Sequence, residues 1–147
     1  MKKEQENLGF DEEIYLDANV FIYAVLDEGL FGDCARNLIG AIKKGDHKAY
    51  TSTLTIDELL WKVQKVLGKE TAVDAVKNFL SMIHLELVAV DHVIIKNSLV
   101  FYLKENLDPR DAIHLACMHL KKLKKIVSSD SDFDKIKDIH RVDFTKL

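Results

Sequence analysis

Asp17 is a carboxylate inside an otherwise apolar run, Ile14-Tyr15-Leu16-Asp17-Ala18-Asn19-Val20-Phe21-Ile22-Tyr23-Ala24-Val25. A segment this apolar enters a core, where an unpartnered ionised carboxylate costs several kcal/mol, on the order of a domain's whole net stability. A bound cation is the simplest relief. Three later stretches also set an acid at the edge of an apolar segment: Thr55-Ile56-Asp57-Glu58-Leu59-Leu60, Asp108-Pro109-Arg110-Asp111-Ala112-Ile113-His114 and Val127-Ser128-Ser129-Asp130-Ser131-Asp132-Phe133. Asp17, Glu58, Asp111 and Asp130 are remote in sequence, and together they point to one divalent-cation site built from oxygen ligands.

Most of these acids also have a local explanation. Thr55 and Glu58 are spaced as a capping box. Asp108 reads as an N-cap, Pro109 opens the helix without wasting an N–H, and Asp111 in the first turn is favoured by the helix dipole. Asp130, Asp132 and Asp134 fit turn and cap positions before a short helix, Phe133 to Lys137. Asp17 has no such role, so the case for a shared site rests on the acids occurring together.

Cations and rings near these motifs divide in the same way. Lys121-Lys122-Leu123-Lys124-Lys125 offers phosphate contacts, or is simply the cationic last turn of a helix. Arg110 presents a bidentate fork to a phosphate or a carboxylate, or forms a surface ion pair. His114, one turn beyond Asp111, approaches the site or packs as an ordinary helix histidine. Trp61 reads as core or interface.

Positioning these residues requires short strands alternating with longer helical segments. Strands are predicted at Ile14–Leu16, Lys48–Thr51, Glu86–Val90, Lys125–Ser128 and Arg141–Phe144, the last at a sheet edge. Helical spacing recurs through Cys34, Leu38, Ala41 and Ile42, and through Ile56, Leu59, Leu60, Val63, Val66 and Leu67, with Gly45 and Gly68 as stops. Further helices are marked by Val73, Val76, Leu80 and Ile83, by Val93, Ile95, Leu99 and Leu103, and by Ala112, Leu115, Ala116, His119, Leu120 and Leu123. This pattern predicts a parallel sheet covered by helices, with the acids converging where strands end and loops meet.

A chain of 147 residues fits one domain, here a polar lead-in over residues 1–12 and a domain over 13–147. Its 48% hydrophobic and 31% charged composition describes a soluble globular protein, with neither a membrane span nor a signal peptide, hence a cytoplasmic location. Cys34 and Cys117 have no metal-site spacing and read as buried free thiols. A net charge of −3 gives no broad basic field, although clustered acids would mask local basic patches.

In order along the chain, Tyr15-Leu16-Asp17-Ala18-Asn19-Val20-Phe21-Ile22-Tyr23, Thr51-Ser52-Thr53-Leu54-Thr55-Ile56-Asp57-Glu58-Leu59, Asp108-Pro109-Arg110-Asp111-Ala112-Ile113-His114-Leu115-Ala116 and Val127-Ser128-Ser129-Asp130-Ser131-Asp132-Phe133 resemble the signature blocks of PIN domains, especially the VapC-type ribonuclease toxins. The resemblance implies a three-layer α/β fold, a central parallel sheet of about five strands flanked by helices. It makes Asp17, Glu58, Asp111 and Asp130 an acidic quartet that carries catalysis and binds metal, with Asp132 an additional metal-binding acid, and Asn19 and Ser128 supporting the first acid. It implies one or two Mg²⁺ or Mn²⁺ ions that activate water, clamp a phosphodiester and stabilise the leaving oxygen. RNA as substrate, an antitoxin protein as partner and a homodimer follow from the resemblance alone. Two other classes stay open: a non-catalytic, metal-stabilised RNA-binding or scaffold protein, and, more distantly, a phosphoaspartate protein, which lacks here a second aspartate at Asn19.

Overall fold

The computed structural model describes residues 8, 9 and 12–147. The greater part of the lead-in expected over residues 1–12 lies outside the described residues. Of the remainder, Leu8 packs against the core and Glu12 pairs with Lys125 at 2.7 Å.

Five short strands, β1 (Glu13–Leu16), β2 (Lys48–Ser52), β3 (Leu85–Val88), β4 (Lys125–Val127) and β5 (His140–Val142), form one sheet. Its order is β3-β2-β1-β4-β5 and every pair is parallel. Two helices fill each of the first three crossovers: α1 (Ala18–Leu26) with α2 (Leu30–Lys44), α3 (Thr53–Leu67) with α4 (Lys69–Leu80), and α5 (His92–Lys104) with α6 (Pro109–Leu120). The expected five-strand parallel sheet between helical layers is met, with β5 at an edge as the sequence suggested.

Strand residues alternate between the two faces, so β1 to β4 each feed two cores. Ile14, Leu16, Ala49, Val127 and Val142 join Val20, Phe21, Leu38 and Leu59 on the side of α1–α4. Tyr15, Tyr50, Val88 and Ile126 join Ile94, Cys117 and Met118 on the side of α5 and α6. Tyr15 thus sends its hydroxyl toward α6.

Some helices depart from the sequence reading. α1 begins directly after Asp17 and went unread, because a nine-residue helix that is apolar on nearly every side displays no 3.6-residue period. α4 buries Ala72, Ala75, Val76 and Phe79, so of the expected stripe only Val76 is buried. α5 buries Ile94 and Ser98, while Val93, Ile95, Leu99 and Leu103 face solvent. Trp61 is 49% exposed, with the Lys65 ammonium 3.8 Å from its ring centroid, and so is not core.

The Thr55/Glu58 capping box is also corrected: Ser52 is the N-cap of α3, which places Thr55 inside the helix. The Thr51 hydroxyl donates to the Leu16 carbonyl at 2.8 Å, which leaves the Thr55 hydroxyl to donate to Thr51 at 2.7 Å. Glu58 is free of the backbone and turned elsewhere.

The crossovers run from β1 to β2 and β3 on one side, then return to β4 on the other. This reversal opens a crevice at the carboxyl ends of β1 and β4, the usual ligand site of open parallel sheets. The scaffold beneath it depends on Phe21, which is 1% exposed and stands edge-on to Phe79 at 4.7 Å. Phe21→Ala is expected to cost about 3–5 kcal/mol in urea unfolding; a loss below about 1 kcal/mol would show that the α1–α4 layer does not rest on it.

Candidate active site

At the end of β1, Leu16 pairs in register with Val127, and the Asp17 N–H donates to the Val127 carbonyl at 3.1 Å. Asp17 and Ser128 therefore leave adjacent strands at one level. The Ser128 hydroxyl donates to Asp17 Oδ2 at 2.6 Å and accepts from the Asp130 N–H at 2.9 Å. Asn19 Nδ2 lies 3.2 Å from Asp17 Oδ2 and 3.0 Å from Ser129 Oγ, closing the network from α1. Asp17 occupies the N-cap position of α1, but its side chain caps nothing. Local geometry directs it into the crevice.

Asp111 enters from the first turn of α6, where Pro109 starts the helix and the Asp108 side chain makes no cap bond. Asp130 precedes the 3-10 helix Ser131–Lys135 and accepts from the Asp132 N–H at 2.9 Å. One carboxylate oxygen from each of Asp111, Asp130 and Asp132 lies within 4.8 Å of the others. Arg141 of β5 pins this segment: it forks onto Asp134 at 2.7 and 3.0 Å and donates to the Ser128 carbonyl at 3.0 Å. Sequence reading missed Arg141, because nothing local in the β5 segment links it to Asp134.

The donor set fits a hard divalent cation. All the clustered groups are oxygens, the ligand chemistry of Mg²⁺ or Mn²⁺ rather than of zinc. Nearby, the buried Asn19 Oδ1 has no hydrogen-bond partner among the described residues, an acceptor left over for a bound ion's water.

Asp17, whose charge acts on Asp111 more strongly than that of Asp130, meets Glu58 at His114, which is 1% exposed. His114 Nε2 lies 3.1 Å from Glu58 Oε1 and 3.8 Å from Asp17 Oδ1, while Nδ1 lies 2.7 Å from the Tyr15 hydroxyl. An ionised carboxylate only accepts, so Nε2 carries the proton and donates to Glu58. In the neutral ring the Tyr15 hydroxyl donates to Nδ1; in the charged ring Nδ1–H donates to the Tyr15 oxygen. His114 is thus both a packed helix histidine and a site residue, readings that the sequence had set against each other. Its place one turn after Asp111 was the available signal; Tyr15, hidden in an apolar strand, gave none.

The profile of the PIN domain matches residues 14–139. The chain belongs to the PIN domain family. Its fold is similar to that of VapC20 from Mycobacterium tuberculosis, described as a sarcin-ricin loop cleaving toxin, with a TM-score of 0.72 and 16% identity over 86% of this chain and 96% of that one. It is also similar to a chain of DNA-bound VapBC from Salmonella typhimurium, at a TM-score of 0.68 and 18% identity over 90% and 98%. A third likeness is to FitAcB from Neisseria gonorrhoeae, at a TM-score of 0.65 and 16% identity over 91% and 99%. Among curated proteins, none matches.

The remaining sequence candidates lie in different places. Arg110 is exposed beside Asp111 and forms no ion pair among the described residues. The lysine run follows the carboxyl end of α6 and leads into β4, which Lys125 opens. Lys121 is taken by Glu86 at 2.6 Å and Lys125 by Glu12. Lys122 and Lys124 remain exposed.

Crowded charge sets the electrostatics of this PIN domain crevice. Burial raises the Asp17 pKa, aided by Glu58 and opposed by His114 and the Ser128 hydrogen bond. Burial, then the charges of Asp17 and Asp130, push Asp111 up to about 7. Burial disfavours the charged form of His114, yet the Glu58 hydrogen bond and the charges of Asp17, Glu58 and Asp111 raise its pKa on balance.

An aspartate shifted from 3.8 to about 7 takes up a proton on folding between those values, so stability falls as pH rises through that window. His114, raised above 6.5, contributes stability below that value and loses it as pH climbs through its folded pKa. In EDTA, the protein is expected to unfold at lower urea at about pH 8 than at about pH 6. Asp111→Asn should shrink that difference; an unchanged or inverted difference would contradict the repulsion.

Proposed function

We propose that this PIN domain is a divalent-metal-dependent endoribonuclease that hydrolyses RNA phosphodiester bonds as the toxin of a toxin–antitoxin pair. The observation that carries the reading is the convergence of Asp111, Asp130 and Asp132 within 4.8 Å, at the rim where Asp17 also stands. Asp17, Asp111 and Asp130 hold metal directly, with Asp132 beside them, and Glu58 holds a second ion or orients the attacking water. Bound Mg²⁺ or Mn²⁺ would lower the pKa of water and offset charge on the phosphodiester.

The chain's own residues supply the geometry. Ser128 and Asn19 fix the Asp17 carboxylate, so its orientation does not depend on the ligand. His114 fixes Glu58 through Nε2 while Tyr15 fixes the ring. Arg110, exposed next to Asp111, is placed to meet a phosphate of the strand.

RNA as substrate is supported by the description of VapC20 as cleaving the sarcin-ricin loop. An antitoxin partner is supported by the likeness to a chain of a toxin–antitoxin complex from Klebsiella pneumoniae. Apolar residues exposed on α3 and α5, including Val66, Leu67, Leu99 and Leu103, give a second copy or an antitoxin surface to cover. Among the described residues no helix is long and apolar enough to cross a membrane, which accords with action on RNA in the cytoplasm. Residues 13–147 form the nuclease domain and residues 1–12 its lead-in.

Purified protein incubated with labelled RNA pools should cleave with Mg²⁺ or Mn²⁺ and stop in EDTA. Asp17→Asn should reduce cleavage by more than about 100-fold and leave the urea midpoint equal or higher, because it removes a buried charge. Full activity in that variant, or RNA binding without metal-dependent cleavage in the wild type, would overturn the ribonuclease reading.

A further inference from the structure

A cavity of about 520 Å³ lies on the α5/α6 side of the sheet, within the size range of ligand pockets. Phe101, Leu115, Leu123, Ile136 and Ile139 give it an apolar floor, and Lys104, Lys122, Lys124 and Lys137 stand around it. We propose that this cavity is a second nucleotide-binding site, which seats one unpaired base of the RNA strand on its floor and the flanking phosphates on its lysines. The inference rests on the ribonuclease reading given above.

Two walls connect the cavity to the acids. Asp111, Leu115 and His119 follow one stripe of α6 at successive four-residue steps, so the far end of the stripe is about 12 Å from the first acid at 1.5 Å per residue. The opposite wall is the segment that begins with Asp130 and Asp132 and continues to Ile136, Lys137 and Ile139. A strand held at the acids therefore has a route along α6 to the cavity within a few nucleotides.

The lining suits a base and its phosphates. The Phe101 ring meets His119 at 5.7 Å, edge to face, which places π surface at the mouth of an apolar floor; bases of any identity stack on such surfaces. Four lysines oppose two acids, Glu105 and Asp138, so the rim attracts an anion. Among the described residues Lys122, Lys124 and Lys137 form no ion pair, unlike Lys121 and Lys125 of the same basic run. Lys122 also sits at φ 56°, a left-handed conformation that glycine adopts at lower cost. A long cationic side chain stands where the backbone alone would favour none.

The test compares the full chain with a variant carrying Lys122→Glu, Lys124→Glu and Lys137→Glu. For a labelled single-stranded RNA, KM is expected to rise at least about tenfold with kcat unchanged, and the slope of log affinity against log salt to fall by about 2 for three lost phosphate contacts. Hydrolysis of bis(p-nitrophenyl) phosphate, too small to reach the cavity, should not change. Single Lys→Gln substitutions, which keep the aliphatic stems, should give graded losses and read the site even if the triple reversal unfolds. RNA binding measured by anisotropy on the Asp17→Asn background separates the two readings: if the wild type never cleaves but the lysine changes abolish binding, the cavity site stands while the ribonuclease reading falls. Unchanged RNA binding in the lysine variants overturns the proposal, including the case in which they lose only an acidic peptide or protein partner.

Discussion

An aspartate only 6% exposed, directly after the buried apolar residues Ile14, Tyr15 and Leu16, must be met by donors or by positive charge. Ser128, Asn19 and the His114 ring provide part of that, from the residue after β4, from α1 and from α6. They do not neutralise the group: burial, then the charges of Asp17 and Asp130, still push Asp111 up to about 7. The crevice is a concentration of negative charge held together by the fold, at an energetic cost that a hard cation or protons would relieve.

The parallel sheet explains how distant residues reach that point. Pairing of Leu16 with Val127 brings the ends of β1 and β4 level, and the crossover through α5 and α6 delivers Asp111 and His114 above them. His114 then joins the two halves of the acidic set, since it hydrogen-bonds Glu58, faces Asp17 and is anchored by Tyr15 from the sheet itself. Asp17, Asp111 and His114 are therefore positioned by strand register and helix phase, and Asp130 and Asp132 by the turn and 3-10 helix that follow β4.

Much of this was legible in the residues. Apolar, β-branched runs identified all five strands, and the conflict between Asp17 and its surroundings identified the first acid. Where the reading failed, the reasons are physical. α1 is buried on too many sides to show amphipathic period. α5 carries apolar residues on several faces, so the spacing of Val93, Ile95, Leu99 and Leu103 marks the helix but not its inward face, where Ile94 is buried. The capping box at Thr55 was plausible in local spacing alone, but tertiary partners took both groups: Thr51 for Thr55, His114 for Glu58. The tie from Arg141 to Asp134 and Ser128 crosses between elements and has no local signature.

Anomalous scattering from crystals grown with Mn²⁺ tests most directly whether the convergent carboxylates form a cation site. A peak within bonding distance of oxygens from Asp17, Asp111 and Asp130, with Asp132 beside it and Asp17 Oδ2 still held by Ser128, is the expected result. Mn²⁺ bound only at other acids, or no peak at Mn²⁺ concentrations that saturate the protein in solution, would contradict it.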